Sequence, residues 1–236
     1  IHGHFYQPPR ENPWLESIEP QDSAHPYHDW NERITAECYA PNASSRILDE
    51  QGKIERIVNN YSKISFNFGP TLLRWMEDNS PDVYRAVLEA DKESQKNFSG
   101  HGSALAQCYH HMIMPLANPR DKQTQVLWGI RDFEYRFGRK PEGMWLPETA
   151  VDIETLEMLV ESEIKFTILA PHQAKRVRLL HDGKWLDVSG AKIDTKQPCR
   201  LKLPSRRSID IFFYDGPASR AVAFESLLAR GETFAH

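Results

Sequence analysis

Two periodicities take turns along this chain, an alternation of apolar and polar residues and a helical spacing of apolar ones. Ile1 to Tyr6 reads as a short strand, and Lys63 to Phe68 alternates Lys, Ile, Ser, Phe, Asn, Phe before Gly69-Pro70 ends it. Thr71 to Glu77 and Pro81 to Lys92 read as helices, the second with Pro81 in its first turn behind Ser80. Ser103 to Cys108 is a predicted short strand. Asp121 to Phe137 is a predicted helix, with Val126, Leu127, Ile130, Phe133 and Phe137 at helical spacing and Gly138 placed to cap it. Between the first two strands, Gln7 to Asn42 is rich in Pro, His and Trp and shows little periodicity. A loop of that length is uncommon in a compact domain and often carries function. Arg46 to Leu48, ahead of the Gln51-Gly52 turn, is a further extended piece.

The second half repeats the alternation. Glu142 to Leu146 is a predicted strand, and Thr149 then starts a helix with Asp152 in a capping-box pattern. Ile153, Leu156, Leu159, Val160 and Ile164 are expected on its core face. Lys165 to Leu169 is a strand, followed by extended pieces at Arg176 to Leu180 and Trp185 to Val188. Ile209 to Phe213 is another strand, and a helix is expected from about Pro217 to Arg230. Strand alternating with helix predicts an α/β fold with a mainly parallel sheet. Ligand-handling residues of such folds gather at the carboxyl ends of the strands. His2 and His4, His110 and His111, Glu148 and Asp215 all fall at such ends.

Composition narrows the class of function. The 236 residues carry a net charge of -4, which argues against a nucleic-acid binder tracking phosphates. Hydrophobic content of 40% supplies a sizeable core. No apolar run is long enough to span a bilayer. Cys38, Cys108 and Cys199 are too scattered for a disulfide framework or a zinc pattern, so a reducing, cytoplasmic setting is expected. The chain opens on Ile1 inside a strand and stops after Arg230 to His236 without closure, which reads as a fragment of a longer protein.

Each candidate has an ordinary structural reading beside the chemical one. Glu148, in Gly143-Met144-Trp145-Leu146-Pro147-Glu148, could be a helix-start carboxylate favoured by the helix dipole. Trp145 and Pro147 build a rigid turn and an aromatic platform beside it, as a nucleophilic carboxylate facing a sugar requires. Asp215 precedes Gly216-Pro217, the usual setting of a turn or cap aspartate, and otherwise suits a general acid. His2 and His4, two apart, share one face of a strand and suit a metal, a substrate hydroxyl or a bonded core pair. His110 and His111 point to opposite faces if extended, so at most one faces a site. Asn12, Trp14, Trp30 and Trp145 suit the lining of a sugar cleft, although aromatics fill cores equally well. Arg206-Arg207 reads as solvated surface.

Taken in order, these motifs resemble glycoside hydrolase family 57, which includes α-amylases, 4-α-glucanotransferases, amylopullulanases, α-galactosidases and branching enzymes. Ile1-His2-Gly3-His4-Phe5-Tyr6-Gln7-Pro8 is similar to the family's first region, His-x-His-Gln-Pro, with two residues inserted. Tyr109-His110-His111-Met112-Ile113-Met114-Pro115-Leu116 resembles the second, and Gly143 to Glu148 the third. Phe213-Tyr214-Asp215-Gly216-Pro217-Ala218-Ser219 resembles the fourth, with Tyr214 where the family often has a charged residue. The fifth region has no counterpart, so a C-terminal helical region is expected to be missing.

The resemblance implies a single catalytic (β/α)7 barrel over residues 1–236, truncated at its C-terminus, and a retaining double displacement on α-glycosidic bonds. Glu148 would be the nucleophile and Asp215 the acid/base. His2, His4, His111, Trp14 and Trp145 would contact substrate. The implied partner is an oligo- or polysaccharide, with no metal, no other cofactor, no nucleic acid and no membrane. Two other readings stand beside this one. A metal-dependent polysaccharide deacetylase would use His and Asp ligands to activate water, but the chain has no Asp-Asp after the first strand and no His-x-x-x-His. A non-catalytic carbohydrate-binding module would not need both carboxyl positions intact.

Overall fold

The first strand, His2–Phe5, lies parallel to Ser65–Phe68 in the register His2 to Ser65, Gly3 to Phe66, His4 to Asn67 and Phe5 to Phe68. A computed structural model of the protein describes residues 1–180, 183–229 and 231–235. It divides into two compact units, residues 1–112 with 117–142, and residues 113–116 with 143–236. The fold is mixed α/β.

In the first unit, Phe66 continues the parallel pairing to Ala104. Apolar side chains on one side of this small sheet form an aromatic core: the Phe5 and Phe68 rings stack at 4.8 Å, and Tyr61 and Phe66 are fully buried. The helix Pro70–Asn79 starts directly from the second strand, its first turn shaped by Pro70. The next, Pro81–Asn97, buries Val83, Val87, Ala90, Asp91 and Ser94, one stripe at three- and four-residue spacing. The helix Pro119–Phe137 is capped by the Asn118 side chain and ended by Gly138 at φ 66. Its Gly129 lies where a Cβ would stand 2.0 Å from the Gln107 carbonyl oxygen, so only glycine permits this helix-to-strand approach. Val126, Phe133 and Phe137 are buried as the spacing predicts, but Leu127 is exposed.

Gln7 to Asn42 departs from its expected irregularity. Glu11–Asn12 and Ser17–Ile18 form a minimal hairpin, and the chain from Trp30 to Ala43 is helical throughout, with a π turn at Thr35–Tyr39. Asp29 caps it, accepting from the amides of Asn31 and Glu32. The buried stripe of this segment is Asn31, Thr35 and Tyr39. Two of those three are polar, which hides the helical period from a search for apolar residues. Ser45–Leu48 pairs antiparallel with Ile54–Val58 across the Gly52 turn.

In the second unit the order is again parallel. Gly143 bridges to Phe166, and Phe166–Leu169 pairs with Ser208–Phe213, from Asp210 opposite Phe166 to Phe213 opposite Leu169. The Phe166 ring occupies the place where a Cβ on Gly143 would be, and the buried Thr167 hydroxyl donates to the Met144 carbonyl at 2.8 Å. Cys199–Lys202, which carries no alternation long enough to read from sequence, adds an antiparallel edge to Ser208–Phe213. Arg176–Arg178 pairs with Trp185–Asp187.

Two helix boundaries differ from expectation. The helix after Glu148 runs Ile153–Glu161 with Asp152 as its cap, not from Thr149. Glu148 and Thr149 have φ 55 and 53, a left-handed backbone that cannot open a right-handed helix. Leu156, Leu159 and Ile164 are buried as expected, whereas Ile153, in the first turn, is exposed. The last helix runs Gly216–Phe224 and stops before Ser226 at φ 56; its predicted end, Arg230, lies outside the described residues. Among the described residues no helix is long and apolar enough to cross a membrane.

Candidate active site

One face of the first unit's sheet carries a row of hydrogen-bonded polar side chains, and it starts at the amino end, since His2 and Ser65 are the first residues of their strands and not, as expected of His2, at the carboxyl end. Parallel register sets Ser65 beside His2 and Asn67 beside His4. The His2 ring meets Ser65 Oγ at 3.0 Å and Asn67 Oδ1 at 3.1 Å. Asn67, fully buried, donates through Nδ2 to His4 Nδ1 at 2.9 Å and to Gln107 Oε1 at 2.6 Å. His4 Nε2 stands 3.0 Å from His111 Nε2. The Tyr6 ring stacks on His111 at 3.9 Å between centroids. Burial lowers the pKa of His2 to about 4, and burial together with the neighbouring His111 does the same to His4. Both rings are therefore neutral near pH 7 and act as hydrogen-bonding groups, not as cations.

His111 belongs to this row, at a left-handed φ of 56, while His110 turns away to Gln125 and the Trp128 ring. That is the divergence expected of adjacent histidines. The remaining first-unit candidates have local partners. Trp14 is 87% exposed on the hairpin turn, where Asn12 Oδ1 accepts from its amide. Trp30 is engaged locally, donating to Ser23 Oγ beneath the Arg33 guanidinium. Among the described residues no group of three or more His, Cys, Asp or Glu stands close enough to hold a metal ion.

The second unit carries the two carboxylates. Glu148 follows the strand Met144–Trp145, exposed between the buried Pro147 and Thr149. Its turn is closed by Thr149 N to Leu146 O and Ala150 N to Pro147 O. Left-handed backbone at two successive non-glycine residues costs about 1–3 kcal/mol each, and such strain clusters at functional sites. Asp215 follows the strand Ser208–Phe213 and caps the helix Gly216–Phe224, accepting from the Ala218 amide at 2.8 Å. It borders a cavity of about 550 Å³ with Pro171, His172, Ile193, Thr195 and Tyr214. The strand order puts Phe166–Leu169 between the strands that lead to Glu148 and to Asp215.

Several of these groups carry no motif of their own. Ser65 and Asn67 were visible only as the polar half of an alternating strand, and their pairing with His2 and His4 needs the register. Gln107 lies in a strand of two residues. His172 and Gln173 sit in a short turn after Leu169 that no periodicity marks.

The chain is 24% identical over 106 residues to alpha-amylase 1 of Dictyoglomus thermophilum, and 22% identical over 107 residues to the 4-alpha-glucanotransferase of Thermococcus litoralis. Each match covers 45% of this chain and 15% of the relative. Among solved structures, it matches an exo-type maltose-forming amylase of Pyrococcus sp. ST04 with a TM-score of 0.62 at 16% identity, covering 96% of this chain and 36% of that one. It matches the Thermococcus litoralis 4-alpha-glucanotransferase with a TM-score of 0.60 at 16% identity, covering 97% and 29%. At that identity the structural likeness establishes a shared fold. Residues 3–233 match the sequence profile of glycosyl hydrolase family 57. The chain belongs to glycosyl hydrolase family 57.

Proposed function

We propose that this chain is the barrel portion of a retaining enzyme acting on α-glycosidic bonds of α-glucans, as hydrolase or glucanotransferase. Residues 1–236 form one catalytic (β/α)7-type domain in this reading. The observation that carries it is the placement of Glu148 and Asp215 just past the carboxyl ends of two parallel strands separated by one. Neighbouring strands are about 4.8 Å apart, so the two backbones stand roughly 10 Å apart at the sheet. Side chains leaning towards each other from that distance can bring their carboxyl groups to the roughly 5–5.5 Å of a retaining pair.

Glu148 attacks the anomeric carbon while Asp215 protonates the departing glycosidic oxygen. A glycosyl ester of Glu148 results. Asp215 then takes a proton from water or from an acceptor sugar hydroxyl, which attacks the ester and restores the free carboxylate. The cavity beside Asp215 has the volume of a small-molecule site. His2 and His4 supply neutral hydrogen-bonding groups for sugar hydroxyls, His111 supplies a further ring, and Trp145 and Trp14 supply aromatic faces. The names of the relatives, alpha-amylase and 4-alpha-glucanotransferase, support α-glucan as the substrate class.

The test is Glu148→Gln on α-glucans and on aryl α-glycosides, with and without azide. Loss of turnover, with azide restoring formation of a glycosyl azide from the aryl substrate, is expected. Parent-level turnover in the variant would remove Glu148 as nucleophile.

A further inference from the structure

The turn Pro171–Gln173 follows the strand that runs between the two carboxylate-bearing strands. Its glutamine is solvent-exposed, so burial does not explain the residue. Yet the side chain is fixed at both ends. Gln173 Oε1 accepts from the Ala170 amide at 2.8 Å, and Gln173 Nε2 donates to the Thr149 carbonyl at 2.9 Å. The first bond settles the orientation of the second. A backbone N–H can only donate, so the amide oxygen faces Ala170 and the NH2 group must face Thr149. Thr149 is the second of the two left-handed residues, and its carbonyl follows directly on Glu148.

We propose that Gln173 is the positioning residue that holds the Glu148–Thr149 turn in its left-handed conformation and so aims the Glu148 carboxylate. The role rests on Glu148 being the nucleophile of a retaining reaction. Without the bond, the turn has a lower-energy backbone available to it, because L-residues relax out of the left-handed region when nothing holds them there. The carboxylate would then spend less time in line with the anomeric carbon, and misplacement of a reacting group lowers rate more than binding. The same turn presents Pro171 and His172 to the cavity beside Asp215. One three-residue element therefore touches the surroundings of both carboxylates.

The experiment measures labelling of Glu148 by a 5-fluoro-α-glycosyl fluoride, in which the carboxylate forms a bond to the anomeric carbon as fluoride leaves and the ring fluorine slows hydrolysis of the ester so that it accumulates. Intact mass and peptide mapping follow the ester, and varying reagent concentration separates its binding from the maximal labelling rate. Gln173→Leu should lower the maximal rate by about five- to tenfold, the worth of one hydrogen bond, with reagent affinity nearly unchanged. Gln173→Glu adds a readout that simple loss of structure would not produce. Its introduced carboxylate still accepts from Ala170, but only the protonated acid can donate to Thr149. The labelling rate of Gln173→Glu relative to the parent should therefore rise as pH falls, and that of Gln173→Leu should not.

A parent protein that takes no label removes the retaining reading and this role with it. A parent labelled on Glu148, with Gln173→Leu labelled at the same maximal rate, overturns the role alone. A ratio for Gln173→Glu that is flat with pH also overturns it.

Discussion

Mild acid should destabilise this protein through two histidines in its first strand. Burial holds both His2 and His4 at about 4, against 6.5 for an unperturbed ring. Between those values the folded rings stay neutral while the unfolded rings are charged. The unfolded chain therefore takes up more protons as pH falls, and stability declines from about pH 6.5, with the full loss reached near 4. At about pH 5 each ring costs roughly 2 kcal/mol relative to neutral pH, and the pair about 4 kcal/mol. That is a large part of the 5–15 kcal/mol typical of a folded domain. The effect is read by urea unfolding at about pH 7.5 and about pH 5, with tryptophan fluorescence as the probe. Other ionisable groups of the chain also contribute to unfolding in acid, so a variant isolates the cause. His4→Gln keeps an amide against Asn67 and removes one titrating ring. Its acid-induced loss should be smaller than the parent's by about 2 kcal/mol, whatever its stability at neutral pH. Equal losses in parent and variant would refute a neutral, half-buried His4.

The buried Asp91 accepts from Arg139 at 2.7 and 2.8 Å and from the Ala104 amide at 2.8 Å, so Asp91→Ala strands a guanidinium and an amide. A loss of about 3–5 kcal/mol in chemical denaturation is expected. Gly129→Ala places a methyl against the Gln107 carbonyl at 2.0 Å and should cost about 1–3 kcal/mol, visible as a lower Tm; a parent-like Tm contradicts the close approach. Asp215→Asn keeps an oxygen to accept from Ala218, so stability should stay within about 0.5 kcal/mol of the parent. Turnover should nonetheless fall by about 10²-fold or more, because an amide cannot pass a proton. Glu148→Gly relieves a left-handed residue, so calorimetry should show a stability equal to or up to about 1 kcal/mol above the parent's while glycosyl transfer disappears. A clear loss of stability would make the Glu148 side chain structural.

The α/β alternation was legible because both periods are carried by large apolar residues. Phe66 and Phe68, or Val126, Phe133 and Phe137, mark their elements without help from tertiary structure. Where a buried face is polar, the same reasoning fails. The helical run from Trp30 was hidden by Asn31 and Thr35, whose burial follows from the packing around them and not from their own hydrophobicity. The candidate site divides in the same way. His2, His4, His111, Glu148 and Asp215 announce themselves by residue type at strand ends. Asn67, Gln107 and Gln173 do not, since an amide is unremarkable until a partner is known. Asn67 matters because parallel register sets it beside His4, and Gln173 because the turn after Leu169 meets the turn after Trp145.

The two carboxylates look alike in sequence, each just past a strand with a proline within two residues, and the structure separates them. For Asp215 the ordinary explanation holds, since it caps a helix with its side chain. Its proposed chemistry must be argued in addition to that role, and the cap fixes the position of the carboxylate. For Glu148 the ordinary explanation does not hold. The helix that follows begins at Ile153 and takes its cap from Asp152, so the glutamate gains nothing from the helix dipole at its start. It stands instead in a strained turn braced from a neighbouring strand end. A sequence under selection for stability alone would place glycine or asparagine at a left-handed position. An exposed glutamate there, in a turn closed by the bonds of Thr149 and Ala150, has no structural reason to be a glutamate, which is what the proposed nucleophile predicts.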